Sequence, residues 1–356
     1  MLITAIIFIV ILMVLVLSHE AGHFFAARRA GVRVEEFGFG IPPRIGGIKK
    51  GETLYSFNLL PFGGFVKLHG EEGQDETNPE SFGGKPWYAR AAILLAGVGA
   101  NMLVAFAALC IVSAVGIPVS VSERDALGTT NAKITLVEIV PDSPAEHAGM
   151  RAGDSVVSIS GVAPTTISET QNTISRYVGT PVELIIERGG TQIPLTVTPR
   201  KNPPEGEGSL GIALSWVYTK KAVWYQAPIE GARLTFDITS GTISGFATIL
   251  KSAIGIGESK IQVAGPVGIF SLTGQAKTSG IPALLMFLAI LSINLAIINV
   301  LPFPGLDGGR LLFVLLETAR GKKISSKTSS IVHGTGLAIL LFLMLLVTYK
   351  DIARIF

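Results

Sequence analysis

Residues 2–23 read LITAIIFIVILMVLVLSHEAGH, an apolar run of membrane length that ends in two imidazoles flanking a carboxylate. From Leu2 to Leu17 the only polar side chain is that of Thr4. Ionisable groups at the centre of a bilayer cost roughly 2.5–3.5 kcal/mol each on insertion scales, so they need partners or a function. On a helix, His19 and His23 share a face and their ring nitrogens reach one metal ion. Glu20 beside them is placed to take a proton from a metal-bound water. A zinc ion satisfies all three residues. The bland alternative, a helix that happens to carry two histidines, leaves both imidazoles in lipid without a reason.

Working outward, the whole chain agrees with a membrane setting. It has 356 residues, of which only 15% are charged, and its mean hydropathy is +0.52. That length predicts two or three units rather than one, and that composition fits a membrane protein. A net charge of +3 is too small to argue for a nucleic-acid partner. Cys110 is the lone cysteine, which excludes a disulfide framework and a cysteine metal site. Residues 1–28 have no basic leader, and their apolar run exceeds that of a signal peptide. A retained spanning helix is expected there.

Four segments reach or near the roughly 20 residues needed to cross a bilayer: about Leu2–Ala27, Ala91–Ile117, Ile281–Leu301 and Ile331–Thr348. Arg28, Arg29, Arg33, Arg44, Lys49, Lys50, Lys67, Lys85 and Arg90 follow the first, and Arg310, Arg320, Lys322, Lys323 and Lys327 lie between the last two. The positive-inside rule puts both loops in the cytoplasm and about 119–280 on the other side, although Lys350 and Arg354 weaken the pattern slightly. His19 lies about 13 Å, and His23 about 8 Å, before Arg28 at a rise of about 1.5 Å per residue. The metal is therefore expected inside the bilayer, nearer the cytoplasmic face.

In the first cytoplasmic loop, Leu54–Leu60 and Phe65–Leu68 flank Pro61-Phe62-Gly63-Gly64 and read as a β-hairpin at about 54–68. The hairpin is unusually apolar. It is either a small surface element or one that dips toward the metal. On the far side, about 134–199 reads as a soluble domain. Its strands are at 134–140, 155–159, 182–187 and 193–197, with a short helix capped by Ser143 and a second at 166–177. Residues 201–208 are a linker, and 222–252 are amphipathic, lying on the membrane surface or packing on the soluble domain.

A catalytic zinc takes a third protein ligand and keeps an open position. Asp307 is the best candidate. It lies in Asn299-Val300-Leu301-Pro302-Phe303-Pro304-Gly305-Leu306-Asp307-Gly308-Gly309, where the prolines end the third apolar helix at the depth of His19 and His23. His333, at the start of the fourth segment, is a rival. His69 and His147 read as surface residues.

The chain resembles the site-2 protease family of intramembrane zinc metalloproteases, in its bacterial RseP/RasP-type branch. The residues that carry the resemblance are His19-Glu20-Ala21-Gly22-His23, Phe37-Gly38-Phe39-Gly40, Pro61 through Lys67, Ala96-Gly97 with Asn101, Ser143-Pro144-Ala145 with Ala148-Gly149 and Gly153-Asp154, Gly265-Pro266-Val267-Gly268, and Asn299 through Gly309. The resemblance implies that Glu20 is the catalytic base and that His19, His23 and Asp307 hold Zn2+. It implies that the hairpin, through Gly63, Gly64 and Phe65, presents the substrate as an added strand, and that Asn299, Pro302 and Pro304 contact the substrate backbone. Gly97 and Asn101 match a structural motif of the second helix, although Val98 stands where proline is common. The soluble domain resembles a PDZ domain in single form, with Ser209-Leu210-Gly211-Ile212 as a peptide-binding loop.

The expected fold is thus a polytopic α-helical membrane protein with four transmembrane helices, a membrane-associated β-hairpin and an inserted PDZ-like α+β domain. Its divisions are 1–117, 118–202, 203–280 and 281–356. The expected partners are single-span membrane proteins, peptide tails at the PDZ-like domain and an upstream site-1 protease, in the bacterial inner membrane. A non-catalytic peptide-binding adaptor would break the metal set, which is complete here. A metal transporter needs polar residues along several helices, and the last two apolar segments offer little beyond Ser292 and Asn294.

Overall fold

The computed structural model describes residues 1–71, 75, 77–126, 131–204, 206–253, 255 and 264–353. Arg354 and parts of the linker lie outside these. The elements in chain order are α1 (Leu2–Arg29), β1 (Val34–Lys50), β2 (Thr53–Leu68), α2 (Trp87–Val115), β3 (Ile117–Val121), α3 (Glu123–Ala126), β4 (Lys133–Ile139), α4 (Pro144–His147), β5 (Ser155–Ile159), α5 (Ile167–Arg176), β6 (Val182–Arg188), β7 (Thr191–Val197), β8 (Ile212–Lys220), α6 (Ala227–Ala253), α7 (Pro266–Thr278), α8 (Ile281–Val300), α9 (Asp307–Arg320) and α10 (Ser326–Ala353). They form two compact units, one of residues 1–112 with 224–356 and one of residues 113–223. Among the described residues, four helices are long and apolar enough to cross a membrane: α1, α2, α8 and α10.

In the helical unit, α1 meets α2 where Gly22 lies on the backbone of Ala96 and Gly97. A Cβ on Gly22 would lie 2.3 Å from the Ala96 carbonyl oxygen. Small residues let backbones approach in this way where lipid provides no hydrophobic drive between helices. α6 packs Leu234 and Ile238 on Ala105, Ala108 and Leu109 of α2 and on Ala289 and Ile293 of α8. A Cβ on its Gly231 would meet the Cys110 sulfur at 2.5 Å. The amphipathic stretch at 222–252 therefore belongs to the helical unit, not to the soluble one, because small residues on α2 and α6 open a close contact that hydropathy does not reveal.

The β-hairpin differs from its expected form. Its turn falls at Gly51-Glu52, β1 begins at Val34, and residues 61–64 lie within β2. Both strands bend. Glu36 to Phe39 pair with Leu54 to Phe57 on one edge and with Gly64 to Lys67 on the other. Residues 46–50 extend the sheet by pairing with 53–57. The result is a four-rung antiparallel sheet whose last rung is 64–68. Pro-Phe-Gly-Gly resembles a turn locally, but two rows of cross-strand partners override it. Ile41, Ile45, Ile48, Phe57, Leu59 and Leu60 are exposed at the far end of this sheet.

The soluble unit is a six-stranded antiparallel sheet in the order β3-β8-β4-β5-β6-β7. Its core joins Leu136, Ile159, Leu184, Ile186 and Leu210 with Ile174 of α5. Ser143 caps α4 by accepting from the Glu146 N–H, and Thr166 caps α5 by accepting from the Glu169 N–H. Asp154, 1% exposed, accepts two hydrogen bonds from Arg188 at 2.7 Å and a third from the Arg151 N–H. The Asp154–Arg188 pair thus ties the start of β5 to the end of β6. β8 carries the unit past the expected 118–202, since it returns to pair between β3 and β4.

Candidate metal centre

α1 carries His19 and His23 one turn apart, and both are buried. Asp307 arrives from the other end of the chain. After α8 the backbone turns back sharply through Leu301–Leu306 and starts α9 at Asp307, so the acid sits in the first turn of a helix, where negative charge is favoured. The tight return depends on glycine. A Cβ on Gly308 would lie 2.2 Å from the Val300 carbonyl oxygen, and one on Gly309 would lie 2.2 Å from that of Phe303. Gly305 has φ +96 and donates its N–H to His333 Nδ1 at 3.1 Å. His333 therefore supports the loop that carries Asp307 and is not one of the converging donors. The residues from Asp307 onward, expected as loop, are helical because these contacts offset the low helix propensity of Gly308-Gly309.

His19 Nε2 and His23 Nε2 are 3.1 Å apart, and Asp307 Oδ2 lies 2.9 Å from the first and 3.2 Å from the second. His23 Nδ1 lies 2.8 Å from the Ile93 carbonyl oxygen. A carbonyl only accepts, so Nδ1 carries the proton and Nε2 of the neutral ring is a lone pair. Two imidazole nitrogens and a carboxylate oxygen thus converge on one point. Three acceptors at this spacing fit a shared cation: the edge of a tetrahedron with metal–nitrogen bonds of about 2.0–2.1 Å is about 3.3 Å. Among the described residues this is the one group of three histidine, cysteine or carboxylate side chains with metal-binding spacing.

Gly97 makes the convergence possible. A Cβ there would lie 2.4 Å from His23 Nε2 and 2.8 Å from His19 Cε1. Asn101, one turn further along α2, is fully buried; its Nδ2 lies 3.4 Å from His19 Nδ1. The sheet comes to the same place. A Cβ on Gly64 of β2 would lie 3.0 Å from Val16 Cγ1 and 3.4 Å from Glu20 Cγ. Glu20 is thus held between its own helix and the outermost rung of the sheet. Phe65 lies across Gly38, whose Cβ would strike its ring at 2.3 Å, and Gly63 has φ +127. Asn299 ends α8 half-buried, Pro302 is exposed and Pro304 is half-buried, its carbonyl against Gly336 of α10. Ser18 and the Ile93 carbonyl are polar neighbours of the histidines that the motif alone does not reveal, because their contacts are to another helix or within a turn.

The model of peptidase family M50 matches residues 7–343. The chain belongs to peptidase family M50. It is a zinc metalloprotease and an integral membrane protein. A Clostridium perfringens protein provisionally named a zinc metalloprotease is 35% identical over 338 residues, covering 95% of each chain. The zinc metalloprotease RasP of Geobacillus kaustophilus is 31% identical over 98% of this chain and 97% of its own. The regulator of sigma-W protease RasP of Bacillus subtilis is 29% identical over 99% of each. A solved PDZ domain from Listeria monocytogenes, 24% identical over 24% of this chain and 90% of that one, has a TM-score of 0.22, too low for the fold of the soluble unit to rest on it.

Proposed function

We propose that this protease cleaves the membrane-spanning segments of single-span proteins, with His19, His23 and Asp307 holding zinc and Glu20 as the base. The observation that carries this is the convergence of three acceptor atoms within 3.2 Å of one another among apolar helices, beside a carboxylate. Zinc, when bound, polarises a peptide carbonyl and makes water a nucleophile at neutral pH. Glu20 takes the proton of the attacking water and returns it to the leaving amine. Lysine and arginine in the loops support an orientation with this chemistry near the cytoplasmic face and the soluble unit outside.

A helical substrate hides its carbonyls in its own hydrogen bonds, so the scissile stretch unwinds first. The outer edge of residues 64–68 supports the next step. It is unpaired among the described strands, adjoins Glu20 through Gly64, and offers backbone partners to an extended segment. Exposed Ile45, Ile48, Phe57 and Leu59 favour a sheet that enters the bilayer rather than a solvated one. Asn299, Pro302 and Pro304 flank the same segment and orient its backbone.

The soluble unit is proposed as a PDZ-like domain. Among the described residues, β8 pairs with β4 alone along Ile212–Ser215, β3 joining at Trp216, so one edge is open there beside Leu210-Gly211. That edge would take peptide tails or exclude bulky external domains until an upstream site-1 protease trims them. Anti-sigma factors and signal-peptide remnants are the substrate classes that fit.

The test is cleavage of a panel of single-span proteins by purified enzyme. Glu20→Gln should lower the rate about 10²–10⁴-fold with zinc retained; equal rates would remove Glu20 as base. His23→Ala and Asp307→Ala should lose zinc, and full zinc in either would reject that ligand.

A further inference from the structure

We infer that Asn101 orients His19 by accepting a hydrogen bond from its Nδ1–H, and that Ser18 locks the Asn101 carboxamide in the orientation this requires. The inference rests on the proposed zinc ligands and adds two residues of this chain that serve them.

One proton decides the arrangement. Ser18 Oγ lies 3.0 Å from the Leu15 carbonyl oxygen and 2.9 Å from the Asn101 atom placed as Oδ1. A serine hydroxyl has a single hydrogen and cannot donate to two oxygens. The Leu15 carbonyl only accepts, so it takes that hydrogen. The end of Asn101 that faces Ser18 must then be the donating NH2 group. The two ends of a carboxamide have nearly the same shape, and their partners decide which is which. Exchanging them turns the carboxamide oxygen toward His19 Nδ1, 3.4 Å away.

The chain of contacts is then consistent from end to end. His19 Nδ1–H donates to Asn101, the Asn101 amide donates to Ser18 Oγ, and Ser18 donates to the Leu15 carbonyl. In the opposite orientation an N–H faces Nδ1, the His19 proton is forced onto Nε2, and the atom aimed at Asp307 cannot bind a metal. The arrangement also matches that of His23, whose Nδ1 is held by the Ile93 carbonyl at 2.8 Å. Both imidazoles thus turn Nε2 lone pairs toward the same point, one fixed by a backbone carbonyl and the other by a carboxamide. Partners that fix the ring tautomer are part of a metal site's affinity.

Asn101 has no freedom to turn away. It is fully buried, and its backbone carbonyl accepts from Ser292 Oγ of α8 at 2.8 Å. Asn101 and Ser18 are positioning residues; neither side chain is among the converging donors.

The experiment measures zinc affinity of the purified full-length protein by competition with a chelator, alongside its melting temperature. Asn101→Leu should weaken zinc binding about 10–100-fold. Asn101→Asp, which still offers an oxygen to Nδ1–H, should recover most of that loss. Ser18→Ala should weaken binding less, in the same direction. Wild-type affinity in both Asn101→Leu and Ser18→Ala overturns the inference. So does Asn101→Asp as weak as Asn101→Leu in a protein that melts like wild type. Should Asn101→Leu not fold, Ser18→Ala decides alone, and unchanged affinity there overturns it. His19→Ala separates the two layers of the argument: unchanged affinity in that variant sinks the ligand set itself, whereas loss there with no effect of Asn101 or Ser18 sinks only this inference.

Discussion

Two open sheet edges, one in each unit, offer the same backbone chemistry and differ in what stands beside them. Residues 64–68 of β2 run past α1, with Gly64 against Val16 and Glu20. Residues 212–215 of β8 follow Leu210 and Gly211, with no group of three histidine, cysteine or carboxylate side chains at metal-binding spacing beside them among the described residues. Each edge can take an extended peptide as an added strand. Only the first would bring that peptide to Glu20, the proposed base, and to the proposed zinc ligands His19, His23 and Asp307. On the proposed reading, backbone pairing serves both edges alike, and the residues behind each edge decide whether a paired peptide is cut or held.

Gly64→Val strikes the first edge most directly. The added side chain meets Val16 and the Gly38 carbonyl at 3.0–3.1 Å and presses on Glu20. A displacement of about 1 Å at a reacting group costs on the order of 10²-fold in rate. Cleavage should fall by about that factor while zinc content stays at wild type. A rate within a few-fold of wild type would mean that the edge does not abut the chemistry.

The companion change is Gly211→Val at the other edge. Gly211 has φ +71, and a Cβ there would lie 2.4 Å from the Ser143 Cβ. A β-branched residue in that conformation costs about 1–3 kcal/mol. Peptide-tail binding should fall and the soluble unit should melt earlier, with a smaller effect on cleavage than Gly64→Val. Calorimetry and the same cleavage assay check both. A larger loss of cleavage from Gly211→Val than from Gly64→Val would reverse the assignment of the two edges.

The smallest expected effect sharpens the contrast at the end of β2. His69 directly follows that edge and bridges Glu35 at 2.9 Å and Asp75 at 3.2 Å, with Lys67 also on Glu35. The Glu35 and Asp75 carboxylates raise the His69 pKa, against the opposing Arg33 guanidinium. A raised folded value means that the tie is complete below the unfolded value of about 6.5 and is lost as pH rises through the folded one. The opening free energy from hydrogen exchange at the end of the sheet, with the base-catalysed intrinsic rate divided out, should fall from neutral toward alkaline pH, and His69→Ala should abolish that dependence. A flat profile in the wild type would remove His69 from that role.

Much of the architecture was legible because lipid is an unforgiving solvent. Runs of apolar residues mark α1, α2, α8 and α10, and the cost of burying His19, Glu20 and His23 singles them out. The cap Ser143 was readable because a hydroxyl before a helix has one local job; Thr166, read as the first residue of its helix, is the cap one position before it. The sheet was harder. Pro61 to Gly64 carries a strong local turn signal, yet the turn falls at Gly51-Glu52, since pairing across β1 outweighs a tetrapeptide. The helices α7 and α9 and the seat of α6 were not legible, because glycines such as Gly231 and Gly308 signal close approach but not which surface approaches.

The residue types and their spacing by themselves determined that this chain spans a bilayer and carries two imidazoles and a carboxylate on one helix. They also determined that an acid waits at the end of another apolar segment. Only the tertiary structure decided that the Asp307 carboxylate meets both rings, because that meeting depends on Gly22 and Gly97 letting α1 and α2 touch and on Gly308 and Gly309 folding the chain back. Only it decided, too, which strand edge adjoins Glu20. Periodicity records which side of a helix is apolar; contact between distant segments depends on the shapes of both surfaces, and a linear pattern does not encode those.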